Sequence, residues 1–246
     1  MNFKALPKID ARYWVAISIA SMCGTNLGDL FPDVFKLGTP VALIILGVCF
    51  IGLNLIDRAS KSGNEAFYWL TILVVRAAAT QIADFSVEQR HWAYFPVAAV
   101  LACMLVGLVA IHARTRGPEK ERTLPRTSGW YWITMLTAGA LGTIVGDGLG
   151  HAFGPMTTGV PISVVSATLA LAIVLYVRRR LQPGAGASYW LAIVTVRWWG
   201  TNAGDILAFV TSLVVSLAVT GLALAAVLLI WRPGPGAGDK VTIAGR

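Results

Sequence analysis

The chain has 246 residues, 56% of them hydrophobic and only 13% charged, with a mean hydropathy of +0.69. Soluble proteins carry roughly a quarter of their residues as charges, so about half the usual ionisable surface is missing and a soluble globular domain is excluded. The net charge of +8 admits a nucleic-acid partner by sum alone, but its distribution along the chain, taken up below, argues against one.

In chain order, apolar stretches lie at 13–30, 40–56, 68–85, 94–112, 131–148, 161–177, 189–206 and 210–231. A helix needs about 20 such residues to cross a hydrocarbon core about 30 Å thick. Eight crossings are therefore expected, and with no period-two alternation the fold class is an all-α integral membrane bundle rather than a barrel. The even-numbered stretches are almost purely aliphatic, as from Val41 to Leu55, whereas the odd-numbered ones carry polar residues at fixed places. The odd helices are expected at the centre and the even ones facing lipid.

Lys4, Lys8 and Arg12 precede the first stretch. Arg58 and Lys61 follow the second, Arg114 to Arg126 the fourth, Arg178 to Arg180 the sixth, and Arg232, Lys240 and Arg246 the eighth. The opposite side holds only Lys36 and Arg90. By the positive-inside rule both termini are cytoplasmic, and this orienting role accounts for the basic excess without nucleic acid. No cleavable leader is visible, because the first apolar run is of full crossing length. Cys23, Cys49 and Cys103 fall inside the stretches without a C-x-x-C pair, which argues against a disulfide framework or zinc knuckle.

Internal repetition organises the whole chain. Tyr13-Trp14, Tyr68-Trp69, Tyr131-Trp132 and Tyr189-Trp190 open the odd stretches. Twelve residues after each Tyr stands Thr25, Thr80, Thr143 or Thr201, and sixteen after it Asp29, Asp84, Asp147 or Asp205. The boxes read GTNLGD, ATQIAD, GTIVGD and GTNAGD. The expected layout is an N-terminal tail at 1–12, repeats at 13–56, 68–112, 131–177 and 189–231, a basic loop at 113–130, and a disordered tail at 232–246 that begins Arg-PGPGAG. Each unit holds two crossings, so all four share one orientation, around an axis near the membrane normal.

On these Tyr-Trp openings and G-T-x-x-G-D boxes, over residues 13 to about 231, the chain resembles a bacterial family of four-repeat integral membrane proteins known as uncharacterised membrane-anchored proteins. Unit two departs with Ala79 and Ala83 for Gly, and unit three with Ile144 for Asn. The resemblance implies an eight-helix membrane fold in the bacterial inner membrane. It implies no chemistry.

The pairs Gly24/Gly28, Gly142/Gly146 and Gly200/Gly204 are spaced for close helix packing. The Tyr-Trp pairs are expected to serve as anchors at the headgroup level or in packing. Sixteen residues at 1.5 Å each put every Asp about 24 Å above its Tyr, and eight put Arg76 and Arg197 about 12 Å above it, near the midplane. An Arg there is costly and faces a cavity or a partner, expected to be an Asp of a neighbouring helix.

Four Asp against two Arg leaves excess negative charge. The leading expectation is therefore a transporter or channel for a small cation (Mn²⁺, Mg²⁺ or H⁺-coupled). Asp29, Asp84, Asp147 and Asp205 would bind the ion, with Asn26, Gln81, Asn202 and the four Thr as neutral donors and Arg76 and Arg197 as competing counter-ions. His151, four residues after Asp147, is a further ligand or proton-relay candidate. No cofactor is expected beyond such a cation as substrate. Two alternatives stand beside this: a small-anion or organic-acid transporter using the two Arg, and a non-transporting scaffold locked by Arg–Asp pairs. Enzymatic activity is not expected, since G-x-S-x-G and H-E-x-x-H are absent, and none of the four boxes, with Leu27, Ile82, Val145 or Ala203 two residues before the Asp, reads as the G-x-G-D of an intramembrane protease.

Overall fold

A computed structural model describes residues 3–61, 63–116, 124, 127–181 and 185–231. The chain is all-helical there: α1 (Ala11–Asp33), α2 (Thr39–Ala59), α3 (Glu65–Asp84), α4 (Tyr94–Arg116), α5 (Gly129–Ala152), α6 (Met156–Leu181), α7 (Ala185–Val210) and α8 (Leu213–Ile230). A single π turn, Phe85–Gln89, extends α3. Local chemistry sets several boundaries. The Asp10 carboxylate accepts from the Tyr13 amide at 2.9 Å, Asn64 caps α3, and Pro40 opens α2, where no amide donor is needed. Gly154, at φ +110°, turns the chain from α5 into α6. The expected C-terminal tail and most of the basic loop lie outside the described residues.

Six of the eight helices are long and apolar enough to cross a membrane; α1 and α7 are not among them. The eight stretches thus all form helices, but two fall short of the apolarity expected of them. Asn26, Asp29 and Asp33 dilute α1, and Arg197, Asn202 and Asp205 dilute α7. Asn26, Arg197 and Asn202 are buried among other helices, whereas Asp33 at the end of α1 is exposed.

The odd helices form a closed ring: α1 packs on α3, α3 on α5, α5 on α7, and α7 on α1. The even helices stand outside it, each against the odd helix of the next unit, α2 on α3, α4 on α5, α6 on α7 and α8 on α1. In their apolar windows 6–22% of the residues of α2, α4, α6 and α8 are buried, against 50% in α3 and 72% in α5. The outer faces, with Ile44, Val48, Val106, Leu169 and Leu222 exposed, are apolar. Such continuous apolar exposure is what a lipid-facing surface requires.

Small residues bring the ring together in a regular way. The residue eight after each Tyr seats on the residue eleven after the Tyr of the preceding unit. A Cβ at Gly24 would lie 2.5 Å from Cγ of Arg76, and one at Gly142 would strike Cβ of Arg197. One at Gly200 would strike Ser21, and one at Gly139 would lie 2.7 Å from Cβ of Ala79. The departure of unit two from the Gly pattern follows: Ala79 faces a glycine, so it needs none itself.

The second glycine of each pair is less uniform. A Cβ at Gly28 would lie 2.9 Å from Cβ of Thr80, and one at Gly146 would lie 2.7 Å from Nδ2 of Asn202. At Gly204 the nearest atoms would be Asn26 Oδ1 at 3.2 Å and the Met22 carbonyl at 3.4 Å, which is tight but not a clash. The reason lies in the facing residue: the Asn26 amide nitrogen is drawn to Ser216 of α8, so its side chain leaves more room against α7. Gly204 is buried in the α1–α7 seam, but it is not a point of obligatory backbone approach as Gly142 is.

Gly142→Ala should therefore be among the most damaging one-carbon additions in the protein. Its Cβ would meet rigid backbone, Val194 O at 2.8 Å and Trp198 N at 2.9 Å, besides Arg197. Overpacking of this kind costs about 1–3 kcal/mol. The thermal midpoint of the purified protein should fall clearly for Gly142→Ala and only slightly for Gly204→Ala or Ala79→Gly; similar midpoints for the three would contradict this packing.

Candidate functional site

The helix ring encloses a polar column along its axis, built in layers that follow the repeat. At one end the hydroxyls of Tyr13, Tyr68, Tyr131 and Tyr189 form a closed hydrogen-bonded ring, with O···O distances of 3.3, 2.8, 3.1 and 2.6 Å in chain order. Four bonds use four hydroxyl hydrogens, so each Tyr donates once and accepts once. All four side chains are buried. Of the two roles expected for these residues, interface or packing, the tyrosines take up packing: they turn inward and satisfy one another. Trp69, Trp132 and Trp190 are buried around them, each packed edge-on against its own Tyr.

One turn further along lies an apolar layer of Ile17, Ile72, Met135 and Ile193, all fully buried. Next comes the level eight residues from the Tyr, where Arg76 and Arg197 stand among Ser21 and Gly139. Both guanidiniums are fully buried, but their side chains part company. Arg76 reaches toward the threonines. Its Nη1 donates to Thr143 at 2.6 Å and Thr80 at 3.0 Å, and its Nη2 to Thr25 at 2.6 Å and Thr201 at 2.5 Å. Each Thr hydroxyl in turn donates to the carbonyl four residues back on its own helix, which leaves its lone pairs for the guanidinium. One hydroxyl from every unit thus converges on one cation. Two levels set by the same four helices, Tyr and Thr, also require those helices to run in one direction.

Arg197 points the other way. Its Nη2 donates to the thioether of Met135 at 3.5 Å, a weak acceptor, while its Nε and Nη1 have no hydrogen-bond partner. Its charge acts on all four ring tyrosines. Arg76 thus gives its terminal N–H groups to threonine hydroxyls, where an Asp partner was expected. The threonine hydroxyls, expected as neutral donors to an ion, are ligands of Arg76. The reason is positional: eight residues of helix keep the Asp level about 12 Å from the Arg level, whereas Thr is one turn away.

Asp29, Asp84, Asp147 and Asp205 are half-buried at the far end of the column. Asp29, Asp147 and Asp205 act electrostatically on Arg76, and Asp147 on Asp205. Among the described residues no group of three or more His, Cys, Asp or Glu that could hold a metal ion is found. The amides lie between helices rather than on the axis. Asn26 Nδ2 donates to Ser216 Oγ of α8 at 2.5 Å, Gln81 Nε2 donates to the Gly28 carbonyl at 3.0 Å, and Asn202 lies against Gly146. His151 is exposed, stacked on Tyr94 at 5.2 Å with Nδ1 against its own helix's Asp147 carbonyl, which fits a surface role. A cavity of about 570 Å³ beside the π turn, lined by Ser86, His91, Trp92 and Pro96 among others, lies between α3 and α4 and off the column.

The tyrosine ring and the Met135 layer were not read as functional from sequence. The signal was present, since position four after each Tyr is Ile, Ile, Met and Ile, and that one sulfur lies beside Arg197.

Comparison with known proteins bears on the unit rather than on chemistry. The family described as Repeat of Unknown Function (DUF347) matches residues 12–61 and 67–118. Each of these two segments comprises an odd helix and the even helix that follows it, so the match follows the two-helix unit. No curated protein and no solved structure matches the chain.

The hydroxyl cage of Arg76 generates a graded expectation. Replacing one Thr by Val removes a hydrogen bond to a buried charge, worth about 1.5–3 kcal/mol. Thr201→Val and Thr143→Val should lower the thermal midpoint more than Thr80→Val, whose contact is longer, and no loss in any of the three would contradict the cage.

Proposed function

We propose that the chain is an eight-crossing membrane transporter whose substrate path is the axis of the helix ring, and that the solute is a small anion. In this reading the odd helices are interior, the even helices face lipid, both termini are cytoplasmic, and the host membrane is a bacterial inner membrane. The tyrosine ring then closes the cytoplasmic end and the four aspartates line the outer mouth. The outward apolar surface, the six helices of crossing quality and the Lys and Arg distribution support that placement.

One observation carries the choice of solute: Arg197, fully buried, keeps two of its three guanidinium nitrogens without a partner. A buried cation held only by a thioether is strongly disfavoured, and an anion on the axis satisfies it. The cation expected from the repeat must instead pass two guanidiniums in a low-dielectric column, where like charges repel strongly. Arg76 favours a structural role within the same reading, because four hydroxyls already occupy its terminal nitrogens. The mouth carboxylates supply a proton-accepting step, so that an anion and a proton enter together and the axial charge stays balanced.

Flux into proteoliposomes tests this. Wild-type protein should carry a small monovalent anion such as chloride, nitrate or formate, Arg197→Gln should lose that flux, and neither should carry Mn²⁺ or Mg²⁺. Uptake should rise as external pH falls, because protonation of the mouth carboxylates accompanies entry. A folded Asp29→Asn, Asp205→Asn double variant should lose most of that pH dependence. Cation flux without anion flux would overturn the choice of solute, and absence of any flux from folded protein would overturn transport itself.

A further inference from the structure

The two axial arginines differ in what they leave available. Arg76 has all four terminal N–H groups matched to four threonine hydroxyls, so it offers a ligand nothing more than Nε. Arg197 offers Nε and Nη1 and yields Nη2 only to a sulfur. A candidate site therefore lies on the tyrosine side of the arginines, walled by the apolar layer of Ile17, Ile72, Met135 and Ile193, with the hydroxyl ring beneath it.

The ring has a property that matters to an anion. Its four hydroxyl hydrogens are all engaged by neighbouring tyrosine oxygens, and each phenol has a single hydrogen to give. A hydroxyl that turns to donate to an anion above it must leave its neighbour. An anion strengthens such a bond, since charge-assisted hydrogen bonds are roughly twice as strong as neutral ones. The exchange is therefore feasible at a site where a guanidinium already neutralises the ligand's charge.

We propose that Arg197 and the tyrosine ring form a single anion site, in which the bound anion takes hydroxyl hydrogens from the ring, so that occupancy of the site and closure of the ring are alternatives. The ligand class is a small monovalent anion. One guanidinium balances one charge, and the apolar walls penalise a doubly charged or strongly hydrated ion. The proposal deepens the transport reading by making the ring a gate that its own substrate loosens, but binding at Arg197 does not require that transport occur.

The test uses the full-length protein in lipid nanodiscs with chloride, nitrate and formate as probes and sulfate as the doubly charged comparison. Calorimetry should show saturable binding of at least one monovalent probe, with sulfate at least tenfold weaker. Arg197→Gln should weaken the monovalent anion at least tenfold. The Raman doublet of the tyrosines, which reports whether a phenol donates or accepts, should shift on binding in the wild type and not in Arg197→Gln. Four of the protein's six tyrosines are in the ring, so such a shift is measurable.

Tyr131→Phe covers the event that Arg197→Gln fails to fold. It frees the hydroxyl that donated to Tyr131, so affinity should stay within a few-fold while the binding-linked Raman shift becomes smaller. Equal binding by wild type and Arg197→Gln, or binding with no tyrosine signature in folded wild-type protein, overturns the proposal. Binding with both signatures but without flux sustains the site and removes the transport reading alone.

Discussion

A charge buried on an axis must be satisfied from every side, and here one guanidinium gathers a hydroxyl from each of four helices. Arg76 thereby fixes the ring more firmly than apolar contact does. Dispersion tolerates sliding, whereas four short bonds to one planar group set the height and rotation of all four threonines together. The Thr level, the close approach at Gly24 and the parallel course of the odd helices all depend on it. The use of neutral hydroxyls keeps the positive charge uncancelled at contact distance, and its field extends along the column toward the aspartates.

The near-fourfold plan also explains why the units differ. Four identical arginines eight residues after each Tyr would crowd one level of the axis with four positive charges. Two units carry Arg and two carry Ser21 or Gly139, and the large and small residues alternate around the ring. The two arginines then diverge along the axis, one toward the threonines and one toward the tyrosines. Each needs a glycine behind it, Gly24 for Arg76 and Gly142 for Arg197, and the unit that faces Gly139 is released from that need. The two-by-two pattern is thus a packing solution as much as a charge solution.

The eight helices, the interior position of the odd ones and the axial register were legible in the sequence, because hydropathy and an in-phase repeat are read directly along a chain. Which polar residue meets which was not. Thr, Asn and Asp all recur in phase, yet only Thr reaches the axis beside the guanidinium, while Asn26 and Gln81 turn into neighbouring helices. A spacing of one residue around a helix is about 100°, enough to separate an axial side chain from an interfacial one. The glycine spacing was legible for the same reason, but how closely each glycine is approached depends on the residue opposite, and that is why Gly204 and Gly142 differ. The inward turn of the tyrosines was not legible for a related reason: an amphipathic ring at a helix start fits a membrane interface as well as a packed core, and only the arrangement of four helices shows that their hydroxyls have each other as partners.

The handing-on of each even helix to the following unit leaves a debt at the seam. α1 is synthesised first and carries Asn26 and Asp29, but the helices that enclose that face, α7 and α8, emerge last. Asn26 finds Ser216, and Arg12 finds the Leu228 carbonyl, across nearly the whole length of the chain. Until α8 arrives, the most polar faces of the first helix have no cover. Assembly in a bilayer must therefore either delay α1 or shelter it, and the ring becomes stable only when the last helix reaches the first.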